Sequence, residues 1–111
     1  MRLHHKGRRI QEEEYEFGAP LDAVETATVE ALTPKDISAI DDALLDATSP
    51  NWSKVAMVLA KQMKVRPGVP DHVPLEFYWS RLCDMVARGE LEAQGNLRRA
   101  RFSEVRRATM S

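Results

Sequence analysis

From Thr33 onward, apolar residues fall at the three- and four-residue spacing of a helix face, with Ile37, Ile40 and Leu44 forming the first stripe. Thr33 precedes it as a side-chain cap, Pro34 takes the first helical position and Asp36 the third. The spacing predicts a helix starting at Pro34. The string SPNW repeats that start at Ser49 and Pro50, and Trp52, Val55, Ala56, Leu59 and Met63 then predict a second amphipathic helix. Pro67, Gly68, Pro70 and Pro74 in KVRPGVPDHVP forbid continuation of either neighbouring helix. A third helix begins at or near Pro74 and buries Leu75, Tyr78, Trp79, Leu82 and Val86, with Gly89 as the left-handed residue that ends it. The period then changes to two. LEAQ, the turn residues Gly95 and Asn96, and the run ARFSEV predict a β-hairpin over residues 91–107.

Three helices followed by a hairpin predict an α+β fold of winged helix-turn-helix type, with the hairpin as the wing. Residues 33–111 form that domain, and Trp52, Leu59, Trp79 and Leu82 are expected to pack together in its core. Residues 1–32 read as an acidic N-terminal arm. Within the arm, RRIQEEEYEFGAP alternates weakly and is compatible with a strand ending at Gly18 and Pro20, which could complete the small sheet. LDAVETATVEAL at 21–32 fits either a helix or a strand.

A length of 111 residues suits one domain with one hydrophobic core. The longest apolar run, VAMVLA at 55–60, is far too short to span a bilayer, and no export signal is visible. With one cysteine, Cys83, no intramolecular disulfide can form, and a cytoplasmic location is expected. The net charge of -1 hides a strong polarity. Residues 1–9 sum to +4, residues 10–49 to -10 and residues 50–111 to +5. Such polarity serves an outside partner, or is consumed within the fold or between two copies.

The strings NWSKVAMV, EFYWSRL and GELEAQGNLRRARFSEVRR resemble a family of small bacterial domains without an assigned function. The resemblance covers residues 33–107, and its most specific part is the C-terminal LEAQGNLRRxRFSEVR pattern. It implies a bacterial source and a compact domain. It assigns no catalytic or ligand-binding residue.

No catalytic or metal-binding signature is present: there is no CxxC and no HExxH, and adjacent His4 and His5 point to opposite faces if that segment is a strand. Neither a metal nor a cofactor is expected. Cys83, one helical turn after Trp79, reads as a packed thiol rather than a nucleophile served by His72.

The candidate binding residues are cationic or aromatic. On the second helix Lys54, Lys61 and Lys64 lie opposite the apolar stripe, with Met57 among them. On the third, Phe77, Arg81, Asp84 and Arg88 form the outward face, where Arg81 and Arg88 could reach base edges or phosphates. The hairpin adds Arg98, Arg99, Arg101, Arg106 and Arg107. Asp84 lies within one turn of Arg81 and Arg88, and Glu90, Glu92 and Glu104 share the hairpin with its arginines, so internal pairing competes with phosphate binding. The chain is therefore expected to be a non-enzymatic binding or regulatory module, an adaptor or antitoxin-like protein that contacts another protein or a second copy of itself. The alternative is a nucleic-acid-binding transcriptional regulator that uses the third helix and the basic wing.

Overall fold

The computed structural model describes residues 16–109. Within these residues four α-helices and a three-stranded antiparallel sheet follow in the order α1 (Ala23–Glu30), α2 (Pro34–Asp46), β1 (Ser53–Lys54), α3 (Val55–Ala60), α4 (Leu75–Ala87), β2 (Leu91–Gln94) and β3 (Glu104–Arg107). Two short 3-10 turns, Lys61–Met63 and Ala100–Phe102, extend α3 and precede β3. Among the described residues no helix is long and apolar enough to cross a membrane.

The helices start where local chemistry provides a cap. Thr33 Oγ1 accepts from the Asp36 amide while the Asp36 carboxylate accepts from the Thr33 amide, so two of the otherwise unpaired donors at the start of α2 are satisfied. Asp22 and Glu25 repeat the arrangement at α1, which resolves residues 21–32 as a helix. At the end of α4, Gly89 takes φ +85° and donates to Val86, and Glu90 donates back to Met85, an arrangement that satisfies the last carbonyls.

The sheet order is β1-β3-β2, with Ser53 opposite Val105 and Ala93 opposite Val105 on the other side. One face of it is inside: Val105 and Leu91 are buried against α3 and α4. Ile40 and Leu44 of α2, Val55, Val58 and Leu59 of α3, and Tyr78, Leu82 and Met85 of α4 complete the core. Each such Leu or Ile contributes about 1.5–3 kcal/mol relative to an exposed position. Phe17, in the segment before α1, also reaches the core: its ring stacks on Trp79 at 5.9 Å, and its amide donates to the Arg98 carbonyl at 2.8 Å. Residues expected to form an arm therefore contribute to the packing of the domain.

Several expectations are corrected. The second helix starts at Val55, not after Ser49, because Ser53 and Lys54 are taken into the sheet by β3. Strand alternation then sends Trp52 and Lys54 to the outer face, and Trp52 is half-buried beneath Arg106 instead of joining Leu59 and Leu82 in the core. Trp79 does pack against that core. The helix also stops early, at Ala60, and the tighter turn over 61–63 rotates Met63 out of the stripe, leaving it 71 % exposed. In the hairpin, the run from Ala100 to Phe102 is a 3-10 turn, and the second strand begins only at Glu104. Gly95 makes that close return feasible: it has φ +85°, and a Cβ there would stand 2.7 Å from the Phe102 carbonyl oxygen. The third strand of the sheet is β1; of the suggested N-terminal strand, residues 16–20 are not extended into the sheet, and the remainder lies outside the described residues.

Candidate functional site

The arginines that made the hairpin and third helix look basic are largely engaged by carboxylates. Arg81 on α4 forks onto Asp41 of α2, with Nε to Oδ1 at 2.9 Å and Nη2 to Oδ2 at 2.7 Å, and reaches Asp84 at 3.2 Å. This hydrogen bond to Asp41 raises the Arg81 pKa above its ordinary value despite partial burial. Arg88 pairs with Glu90 at 2.9 Å and lies 3.9 Å from Asp41. Arg106 of β3 pairs with Glu92 of β2 at 2.6 Å and places its guanidinium 4.4 Å from the centre of the Trp52 ring. Arg98 lies 3.7 Å from Glu16.

Arg107 serves the fold in another way. Its guanidinium donates to the Leu45 carbonyl at 2.9 Å, at the end of α2, whose last turn carries no basic residue of its own. A cation is favourable at that negative end of the helix dipole.

Phe77, expected on the outward face, is half-buried and packs against the core beside Trp79. Lys54 is exposed on β1 opposite Glu104 in register, and Lys61 is exposed at the end of α3. Arg99 lies over the Phe102 ring at 4.8 Å, and its Nε is buried with no hydrogen-bond partner among the described residues. Arg101 is exposed and forms no ion pair among the described residues. The predicted cations thus divide: Arg81, Arg88, Arg98 and Arg106 are compensated in place, whereas Lys61, Arg99 and Arg101 lack a carboxylate within ion-pair distance among the described residues.

Arg101 borders a feature that sequence reasoning missed. Between α3 and the Ala100–Phe102 turn runs an apolar groove of about 350 Å³. Ala56 and Ala60 form one wall, Ala100 the other, and Leu59 and Phe17 its base. Met63 and Leu75 line it further along. The walls are low because they are alanines. A visible signal was the pair Ala56 and Ala60, one turn apart, with Ala56 in the apolar stripe and Ala60 next to it, but the opposite wall comes from a turn forty residues later. Around α3 and the turn, Met57 is 58 % and Phe102 is 56 % exposed, so the apolar surface extends beyond the groove itself.

A second cavity, of about 320 Å³, lies against the loop before α4 and includes Arg66, Asp71, His72 and Tyr78. Burial, the larger influence, raises the Tyr78 pKa, with Arg66 acting against it. His72 holds φ +65°, in the left-handed region. Of the candidate binding residues, Lys64 lines this cavity. Cys83 is half-buried in α4, and burial pushes its thiol up to about 11, which leaves it protonated and a poor nucleophile near neutral pH. Among the described residues no group of three or more His, Cys, Asp or Glu side chains is placed to hold a metal ion; His4 and His5 lie outside them. Comparison with protein-family models, curated proteins and solved structures gives no match to this chain.

Proposed function

We propose that this chain is a non-catalytic binding module of winged-helix type whose partner is another protein. The order α2, β1, α3, α4 and then the β2–β3 hairpin supports the winged-helix reading, since the small strand and the hairpin share one sheet beside the helices. The observation that carries the protein-binding reading is the pairing of Arg81, Arg88, Arg98 and Arg106 with Asp41, Glu90, Glu16 and Glu92. Where both partners are exposed such pairs stabilise little, about 0–1 kcal/mol, while Arg81 and Asp41, each about one-fifth exposed, contribute more. Their effect on binding is larger than on stability: a phosphate approaching those guanidiniums meets a carboxylate at nearly the same distance. On α4, the element that would enter a major groove, Asp84 is exposed and Arg81 is turned toward α2.

The second reading is a nucleic-acid-binding regulator. Arg99 and Arg101, adjacent to the hairpin strands and without ion-pair partners among the described residues, favour it. The deciding experiment titrates labelled duplex DNA with the full chain at several salt concentrations, beside affinity capture from the native host with and without nuclease. Protein binding predicts no duplex affinity at moderate salt and a captured partner that survives nuclease. The triple variant Arg98→Ala, Arg99→Ala, Arg101→Ala is then expected to weaken partner capture. Tight duplex binding that falls steeply with salt, and flattens in that triple variant, would reverse the ranking.

A further inference from the structure

We infer that the groove between α3 and the Ala100–Phe102 turn docks an acidic segment of a partner protein through bulky apolar side chains. The inference rests on the protein-binding reading and adds the site and the chemistry of the partner.

The shape argues for side chains, not for a flat surface. A groove of about 350 Å³ walled by Ala56, Ala60 and Ala100 lets a partner backbone come close while its larger side chains descend onto Leu59. Met63, 71 % exposed at one end, is unbranched and adapts to whatever enters. Leaving Met57, Met63 and Phe102 in water is unfavourable in the free chain, so covering them contributes to binding.

Charge selects the partner. Among the described residues no carboxylate lines the groove, and Arg101 does. Lys61 and Arg99 are next in sequence to the lining residues Ala60 and Ala100, and Lys64, next to Met63, lines the second cavity. The acidic residues next in sequence to lining residues are Glu16 and Glu76. Glu16 is paired with Arg98, and the Glu76 carboxylate accepts the Gly18 amide at 2.9 Å. A segment with acids flanking its apolar anchors complements this rim, and a basic one is repelled. Nucleic acid fits poorly, because its phosphates gain nothing from a floor of Leu59 and Phe17.

The test selects a phage-displayed library of random peptides on the full chain and measures enriched peptides, labelled and in solution, against the wild type and two variants. Ala60→Glu places a carboxylate on an exposed wall position, and Arg101→Glu reverses the rim charge. Circular dichroism and thermal melts establish that both are folded. Expected are enriched sequences in which acids flank large apolar residues, with binding about tenfold or more weaker in each variant and weakened by salt. Enrichment of basic or uncharged peptides, no enrichment, or binding unchanged in both variants would overturn the inference. So would a wild-type dimer that Ala60→Glu dissociates, since a second copy would then fill the groove, or duplex DNA binding lost in Arg101→Glu. Host capture separates the two levels. A protein partner held equally by wild type and Ala60→Glu removes the groove but keeps protein binding; duplex DNA binding without any protein partner removes both.

Discussion

Arg81 and Asp41 show how much of a charged pattern is decided by one contact. Both side chains are about one-fifth exposed, and the forked geometry satisfies two guanidinium donors at once. Replacing Asp41 by Ala leaves Arg81 half-buried with only Asp84 at 3.2 Å, and the expected loss is about 1.5–3 kcal/mol, read from urea unfolding. Arg81→Lys is expected to recover little, because an ammonium cannot reproduce the fork. A double-mutant cycle that shows no coupling between Asp41 and Arg81 would place the pair among the inconsequential ones. Cys83 gives a second measurement at this scale. Its thiol pKa rises from 9.0 to about 11 in the fold, so the unfolded chain ionises first as pH increases. The protonated thiol favours the native state up to the unfolded pKa, and that advantage is lost as pH passes from 9.0 towards about 11. Wild type is therefore expected to lose more stability than Cys83→Ala across that window, and parallel pH profiles would show that the thiol is no more buried in the native state than in the unfolded one.

Elements differ in how far their own residues decide them. The start of α2 was legible because its determinants, Thr33, Pro34 and Asp36, lie within four positions, and the end of α4 was legible through Gly89. The strand β1 was not. Ser53 and Lys54 pair with Val105 and Glu104, fifty residues away, and that pairing overrode the amphipathic pattern which would have begun a helix near Pro50. The same long-range pairing moved Trp52 from the core to the outer face, and a separate contact between α4 and α2 turned Arg81 onto Asp41, forty residues distant. Among the pairings, the local acids Asp84, Glu90 and Glu92 were legible beside the arginines they meet, whereas Asp41 for Arg81 and Glu16 for Arg98 were not, because side-chain pairing between distant elements leaves no periodic trace. The difference is measurable. Leu59→Ala, at a fully buried position, is expected to cost about 2–5 kcal/mol. Trp52→Ala removes a half-buried ring and its contact with Arg106, for an expected loss nearer 1–2 kcal/mol. A Trp52 loss equal to or above that of Leu59 would return the indole to the core.

At the scale of the molecule, the separation of an acidic segment at 10–49 from a basic one at 50–111 has two possible uses with opposite responses to salt. If the charges pair across the fold, salt screens attraction and destabilises; if they are held apart for a partner, salt screens repulsion within each segment and stabilises. Among the described residues three ion pairs cross the division: Asp41 with Arg81, Asp41 with Arg88, and Glu16 with Arg98. Arg107 crosses it as well, to the Leu45 carbonyl at the end of α2. Part of the polarity is thus consumed inside the chain, through Asp41 and Glu16, and moving from low to about 1 M sodium chloride, where the screening length falls to about 3 Å, is expected to lower the melting temperature. Two of the three end on the half-buried Asp41 carboxylate and one is exposed, and salt screens them only in part, so the total loss should be about 1–2 kcal/mol. For a domain of this size that corresponds to about 4–8 °C per kcal/mol. The Asp41→Ala variant should show a smaller drop, because two of the crossing contacts end on that carboxylate. A melting temperature that rises with sodium chloride would mean that repulsion outweighs pairing in the free chain. The basic segment would then be available to an acidic partner across more than the Arg99 to Arg101 rim, and nucleic acid would regain ground as that partner.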